Sequence, residues 1–480
     1  MSTHIRGSER SQVLMLPECV EDYVGVENPA RVIEAFVEGL DLAKVGLQAS
    51  PASTGRPSYD PRDLLKLYIY GYLHRIRSSR ELERQTHRNL ELIWLMRQLR
   101  PDHKTISEFR RRNLSCFKLV LRQFNVLCRE LDLFGRELLA IDGTIFKAVN
   151  ARSRNFTRES LKKMLSKIDE GIEQYLEQAQ AADEREAQAD PAQGAKPSRL
   201  QEKLAWLQQH KAKYEELLER MKPSAATQLS LSDPESRLMK KSTMSGAVVG
   251  YNVQSAVDAK HHLIVELEAT QAGNDYGQLT AIAVAAKEQL QVEHLEVVAD
   301  KGYREIEDIE RCQQAGISVF VPPVRDRQRT QGLFGRDAFV YDSQKDVCRC
   351  PAGQELIRHE DNLDKGKVYQ VYYHTAACEG CALRVQCTRG KYRKYKRQKG
   401  QEALEAAQAR AQARPEVQGR RKGIVEHPFG TLKFWWGQGA FLLKSQEKVN
   451  AELQLSALAY NLRRALNVLG VKALRTRWAA

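Results

Sequence analysis

Apolar positions along the chain recur at two different periods, and the changes of period mark its parts. From 58 to 135 the spacing is helical. Leu64, Leu65, Leu67, Tyr68, Tyr70 and Leu73 form one stripe beginning near Pro61. Ser78 with Glu81, and Thr105 with Glu108, have the Ser/Thr-x-x-Glu spacing of a capped helix start. The second start leads into Arg110-Arg111-Arg112 and a stripe through Phe117, Leu119, Val120, Leu121 and Phe124. The pattern predicts an all-helical domain over 58–135, behind an N-terminal extension at 1–57.

The period shortens at 137–147, which reads as a strand. Two long helical patterns at 158–183 and 198–221, rich in Glu, Lys, Gln and Leu, are joined by a Pro- and Gly-containing linker at 190–197. They predict a helical hairpin inserted at 154–240. Strand patterns return at 247–258 and 263–269 around a turn at 259–262, then before Asp300, then at 318–321. Helical patterns at 276–290 and 305–315 separate the later ones. The fold class is therefore α/β, a mixed sheet flanked by helices, spanning 136–465. Residues 324–419 interrupt it with a polar, Cys-containing, β-rich insertion whose last part, 401–415, reads as an exposed helix. From 420 to 465 the helical period resumes, and Leu453, Leu455, Leu458, Tyr460 and Leu462 suit packing on the sheet. Residues 466–480 read as a basic C-terminal tail.

Charge changes the picture. A formal net charge of +14 favours an anionic partner, most simply a nucleic acid. No run of eighteen apolar residues and no signal-peptide pattern is visible, so the expectation is a cytoplasmic protein with no membrane span. The nine Cys are an odd number, and five lie between Cys348 and Cys387. That fits a local thiol site better than a disulfide scaffold.

Three carboxylates stand at element boundaries. Asp142 follows Leu138-Leu139-Ala140-Ile141 and precedes Gly143-Thr144. Asp300 follows Val297-Val298-Ala299 and precedes Lys301-Gly302-Tyr303. Glu426 lies in Val425-Glu426-His427-Pro428-Phe429-Gly430. Phosphodiester chemistry needs a nucleophile made near neutral pH and neutralisation of phosphate charge, tasks that two divalent ions perform together. Mg²⁺ or Mn²⁺ prefers carboxylate oxygens. Among 61 Asp and Glu residues some fall at strand ends by chance, so spacing alone leaves the trio open.

Cys350, Cys378, Cys381 and Cys387 are candidate ligands for structural zinc, Cys378-x2-Cys381 having the usual spacing. Ordinary buried cysteines are the competing reading. Arg110, Arg111 and Arg112 suit docking on duplex DNA or a charged solvent face. Lys391, Arg393, Lys394, Lys396 and Arg397, interleaved with Tyr392 and Tyr395, suit phosphate contact or a basic surface. Trp435 and Trp436 read as core or interface packing.

The segments Ala140-Ile141-Asp142-Gly143-Thr144, Ala299-Asp300-Lys301-Gly302-Tyr303 and Val425-Glu426-His427-Pro428-Phe429-Gly430-Thr431-Leu432-Lys433 together resemble those of DDE-type bacterial insertion-sequence transposases. The likeness extends to Ile106-Ser107-Glu108-Phe109-Arg110 and to the Cys spacings. It implies an RNase H-like catalytic domain with the first acid on the first strand, the second after the fourth, and the Glu on a late helix. It implies two bound Mg²⁺ or Mn²⁺ ions held by Asp142, Asp300 and Glu426. It also implies double-stranded DNA partners, transposon inverted-repeat ends and target, paired in a homodimer or larger synaptic complex. Lys433 matches a family Lys after the Glu. Lys422 stands where Arg is usual, and Gly419 replaces an aromatic residue.

Overall fold

The computed structural model describes residues 19–47, 58–186, 198–221, 227–240, 246–324, 326–364 and 366–478. The expected linker at 190–197 lies outside these residues. Six helices lead the chain: α1 (Ala30–Glu38), α2 (Pro61–Leu73), α3 (Ser79–Thr86), α4 (Leu90–Leu95), α5 (His103–Arg112) and α6 (Cys116–Glu130). Two of their starts differ from the sequence reading. Ser78 stands at the α3 N-cap without a side-chain cap bond, and Glu81 instead bonds Arg84, Gln85 and Arg88. Asp102, not Thr105, caps α5 by accepting from Thr105 N at 2.7 Å. Asp is as good a cap as Thr, so helix α5 begins one turn earlier than the Thr-x-x-Glu spacing indicated.

β1 (Leu138–Lys147) opens the central sheet. An excursion follows: β2 (Asn155–Thr157), α7 (Arg158–Glu186), α8 (Ser198–Met221), β3 (Gln228–Ser230) and β4 (Arg237–Lys240). Its helical hairpin has a small core of Phe156, Leu161, Leu217 and Met221. The sheet continues with β5 (Ala247–Asp258), β6 (Ile264–Thr270), α9 (Leu279–Leu290), β7 (Leu295–Val298), α10 (Ile306–Gln314) and β8 (Ile317–Phe320). Its order is β4-β5-β1-β7-β8, with β6 also on β5; β1, β4 and β6 pair β5 antiparallel, while β1–β7 and β7–β8 are parallel.

The insertion contains α11 (Arg327–Thr330), β9 (Val340–Asp342), β10 (Val347–Arg349), β11 (Glu355–Asp364), β12 (Lys367–Tyr373), α12 (Thr375–Glu379), α13 (Arg384–Cys387) and β13 (Tyr395–Gln398). Its five strands form a second, antiparallel sheet around Phe339, Cys348, Leu356, Tyr372 and Tyr395. Then come α14 (Gln401–Ala413), α15 (Pro415–Gly430), a π turn at Thr431–Trp435 and α16 (Gln446–Trp478). Helix α16 runs through the stretch expected as a tail. It kinks at Gly470, whose φ is 76°, and continues because Val471 and Leu474 are buried.

Period-two alternation gives the central sheet two covered faces. Leu139, Ile141 and Val297 join one large core with α2, α6, α9 and α16. Leu138, Ala140 and Val298 join Val417, Ile424 and Val425 of α15. The leading helices share the first core with the sheet. Asn125 of α6 donates to Ile264 O and Val265 O, and Asn461 of α16 donates to Asn125 and Ile264 O. Arg77 pairs with the buried Glu452 at 2.7 Å. Among the described residues no helix is long and apolar enough to cross a membrane.

Candidate active site

The parallel ladder between β1 and β7 pairs Leu138 with Glu296, Leu139 with Val297 and Ala140 with Val298, and then stops. Two residues further on each chain stand Asp142 and Asp300. Asp142 shares the parity of Ala140 and lies on the face covered by α15; Asp300, past the end of β7, caps the turn Lys301–Tyr303 close enough to Asp142 for their charges to interact. Asp142 is thus not at the end of its strand, as the sequence suggested. It lies mid-strand, still paired with Ser255 of β5, but where the β7 edge has opened. The mouth of two parallel strands at their carboxyl ends is where α/β sheets hold ligands.

Burial raises the Asp142 carboxyl to about 6; Arg421 pulls it down, Asp300 pushes it up and the Gly143 N–H steadies its charged form. Arg421 of α15 pairs with it at 3.1 Å. Asp300 accepts from Gly302 N at 2.5 Å. Buried Tyr303 donates to Gln254; burial, Asp275, Asp142 and Asp300 all hold its phenol well above the ordinary value.

Asp275 is the residue that sequence reasoning missed. It lies between β6 and α9, in no conspicuous motif. Asn252 and Gln254 donate to its Oδ1 at 2.9 and 2.7 Å. A side chain on Gly143 would collide with this carboxylate, and a Cβ on Gly302 would sit 2.8 Å from Asp300 Oδ1 and 3.5 Å from Asp275 Oδ2. The glycine after Asp142 and the one after Asp300 therefore leave room for the Asp275 carboxylate, which lies with Gly143 and Gln254 on the face of β1 and β5 opposite to the Asp142 side chain. The available signal was the pair Asn252 and Gln254, buried amides on a central strand that must find partners.

Glu426 does not join the aspartates. Its side chain is 64% exposed and pairs with Lys422 at 3.7 Å. Its neighbour Val425 packs against the face of β1 that carries Asp142. Among the described residues no three His, Cys, Asp or Glu side chains come close enough together to enclose a metal ion. Asp142 and Asp300 fit a divalent cation as far as they go: two hard oxygen donors whose mutual repulsion a cation would relieve. Lys433, half-buried in the π turn, donates to Thr144 Oγ1 and to Ile145 O at 2.8 Å, so it lies on β1 beside Asp142.

The basic candidates divide. Arg110 turns inward over the Tyr68 ring at 5.6 Å, while Arg111 and Arg112 are exposed and bound to Glu108. Arg397 of β13 and Arg393, two residues before the strand, are both buried. Arg393 bonds Cys387 O and Gln328, and Arg397 pairs with Glu402 and Glu405 over the Tyr341 ring. Neither faces solvent as a phosphate ligand would. Lys391, Lys394 and Lys396 are exposed. Trp436 packs on the core, but Trp435 is 76% exposed, contrary to the packing expected of it. Cys350, Cys378, Cys381 and Cys387 line one small cavity, and the Cys387 thiol is raised by burial and by the other three. None of the nine cysteines forms a disulfide.

Residues 18–112 match a family model described as a transposase domain (DUF772), and residues 349–466 match one described as a transposase DDE domain. The two matches support a transposase superfamily assignment and, with it, a DDE-family function acting on DNA. The second match contains Glu426, Lys433 and the four clustered cysteines; Asp142 and Asp300 lie outside both. No curated protein matches the chain. A cryo-EM structure of the piggyBac transposase synaptic complex with hairpin DNA aligns over 94% of this chain and 79% of that one, at 9% identity. Its TM-score of 0.29 is too low to carry an argument.

Proposed function

We propose that the chain is a DNA transposase with an RNase H-like catalytic domain, cutting inverted-repeat transposon ends and joining their 3′ hydroxyls to target DNA. The observation that carries this reading is the register of β1 and β7, which sets Asp142 and Asp300 side by side under the helix bearing Glu426. Water first adds to the phosphorus at the transposon end. The P–O3′ bond breaks, and the proton passes to the departing 3′ oxygen. That hydroxyl then attacks a target phosphorus and displaces a target 3′ hydroxyl. The second step exchanges one phosphodiester for another, so no nucleotide hydrolysis is needed.

Two Mg²⁺ or Mn²⁺ ions, held by Asp142 and Asp300 with Glu426, would supply charge neutralisation and an acidified nucleophile. The chain's own groups prepare that site. Arg421 balances the Asp142 charge in the resting state, and Asn252 and Gln254 aim Asp275 with neutral donors. Lys433, and Lys422 once released from Glu426, would meet phosphate as point charges rather than bidentate forks. Two ends must be paired for insertion, which calls for a dimer or a larger complex.

The test is incubation of the protein with the DNA flanking its own gene and Mg²⁺ or Mn²⁺. Joined product is expected. Hydrolysis without joining would indicate a related nuclease, and specific binding without cutting a domesticated DNA-binding protein. Asp275 bonds Asn252 and Gln254 and acts on the aspartates only through its charge beside Gly302, so Asp275→Asn is expected to raise the Mn²⁺ concentration giving half-maximal thermal stabilisation by about 10-fold. An unchanged titration would leave Asp275 a purely structural acid. The four thiols share a cavity without closing on an ion, so zinc would have to draw them together; about one zinc per chain by elemental analysis, lost in Cys378→Ser/Cys381→Ser with several degrees of melting temperature, is the result that would establish it. Zinc retained by that variant would remove the thiol site.

A further inference from the structure

The surface opens into a groove of about 1520 Å³ between helices α10 and α14 on one side and the Cys-containing sheet on the other. Small-molecule pockets run to about 300–1,000 Å³, so the space suits a polymer better than a metabolite. One wall includes two residues that adjoin the acidic site in the chain. Tyr276 directly follows Asp275, and Arg304 directly follows Tyr303. The opposite wall comes from the insertion, with Arg336, Tyr369, Lys394 and Lys396. Lys367 of β12 ties the two walls by donating to Tyr276 and pairing with Glu305 at 3.1 Å.

The charge of this groove is not cancelled within it. Its acids already have partners: Asp326 accepts from Gln328 N and Arg336 N, Asp337 pairs with Arg329, and Glu405 pairs with Arg397. Arg304, Arg336 and Lys396 are exposed, and among the described residues none has a carboxylate oxygen within 4 Å, although Arg336 donates to Lys396 O and its charge reaches Asp326. Lys394 has a long contact to Glu360, 3.4 Å, and lies over the Tyr373 and Tyr392 rings. Cations that track a backbone, with tyrosine rings between them, are what a single nucleic acid strand needs; a duplex hides its base faces.

We infer that this groove binds single-stranded DNA, receiving one strand of the cleaved or melted end as it leaves the acidic site. The direction of travel rests on the transposase reading; the binding itself does not.

Fluorescence anisotropy of the full-length protein in EDTA, with a labelled single-stranded oligodeoxynucleotide and with a duplex, tests it across a salt series. In Arg304→Ala/Arg336→Ala/Lys396→Ala the single-strand affinity is expected to fall tenfold or more. The slope of log affinity against log salt should shrink by about 2, since each lost phosphate contact removes about 0.7. Duplex affinity should change far less. The charge-retaining Arg304→Lys/Arg336→Lys/Lys396→Arg variant should bind like the wild type, which separates lost charge from misfolding.

Unchanged single-strand affinity and slope in the alanine variant would overturn the inference, as would an equal loss for duplex. If the groove behaves as expected while wild-type protein never cuts its flanking DNA, the groove stands and the transposase reading falls.

Discussion

Asp142→Asn is expected to lower end cleavage by on the order of 10³-fold or more while making the protein more stable above about pH 6. The two effects have one cause. Folding moves this carboxyl from water, where it ionises near 3.8, to a place where burial and Asp300 carry it to about 6. Between those values the folded chain binds more protons than the unfolded one, so the wild type loses stability as pH rises from about 4 to about 6. The loss stays constant at higher pH. Asn carries no charge and escapes it, so its advantage is absent below about pH 4 and complete above about pH 6. Two pKa units set a ceiling of about 3 kcal/mol, and the unpaired Arg421 offsets part of that. Melting curves at pH 4 and pH 8 measure the difference. Added Mg²⁺ or Mn²⁺ should stabilise the wild type at pH 8 and the variant little. Full cleavage by Asp142→Asn, or a variant less stable at pH 8 than at pH 4 relative to wild type, would contradict the assignment.

Glu426→Gln is expected to cost cleavage about 10²–10³-fold with no change in melting temperature. The side chain is mostly exposed and held only by Lys422 at 3.7 Å, a kind of surface pair that contributes about 0–1 kcal/mol. Removing it leaves the fold untouched. The same weak tether means that little is spent in turning Glu426 from Lys422 toward the aspartates beneath its helix. A fully active Glu426→Gln would make Glu426 an ordinary surface residue, and Asp275→Asn in the same assay then tests the next acid near Asp300. Measuring both variants in one cleavage assay decides between the two carboxylates.

Much of the fold was legible because the relevant signals are local. The strand at 247–258 and the helices beginning at 158 and 198 were readable from hydrophobic period alone, and each appears at those positions. Capping was less legible. Asp102, Thr105 and Glu108 all suit a helix start, and nothing local decides which of them caps. The basic tract at 391–397 failed for a related reason. Lys and Arg follow one another through 391–397, so the sequence shows no alternation, yet Arg393 before β13 and Arg397 within it are buried while Lys394 and Lys396 are exposed.

The site divides along the same line. Local pattern alone marks Asp142, Asp300 and Glu426 as acids at the edges of apolar runs, and period alone determines that a sheet lies between helices. Asp275, Arg421 and the outward turn of Glu426 depend on contacts between segments far apart in the chain. Asp275 meets Gly143 and Gly302 only because β1, the β6–α9 connection and the end of β7 converge. Arg421 reaches Asp142 across 279 residues. Periodicity reports which face of an element is apolar, since that depends on neighbours three or four residues away. Strand register and the choice of ion partner are settled by packing over hundreds of residues, where Coulomb and hydrogen-bond terms act on distance in space and not on distance along the chain.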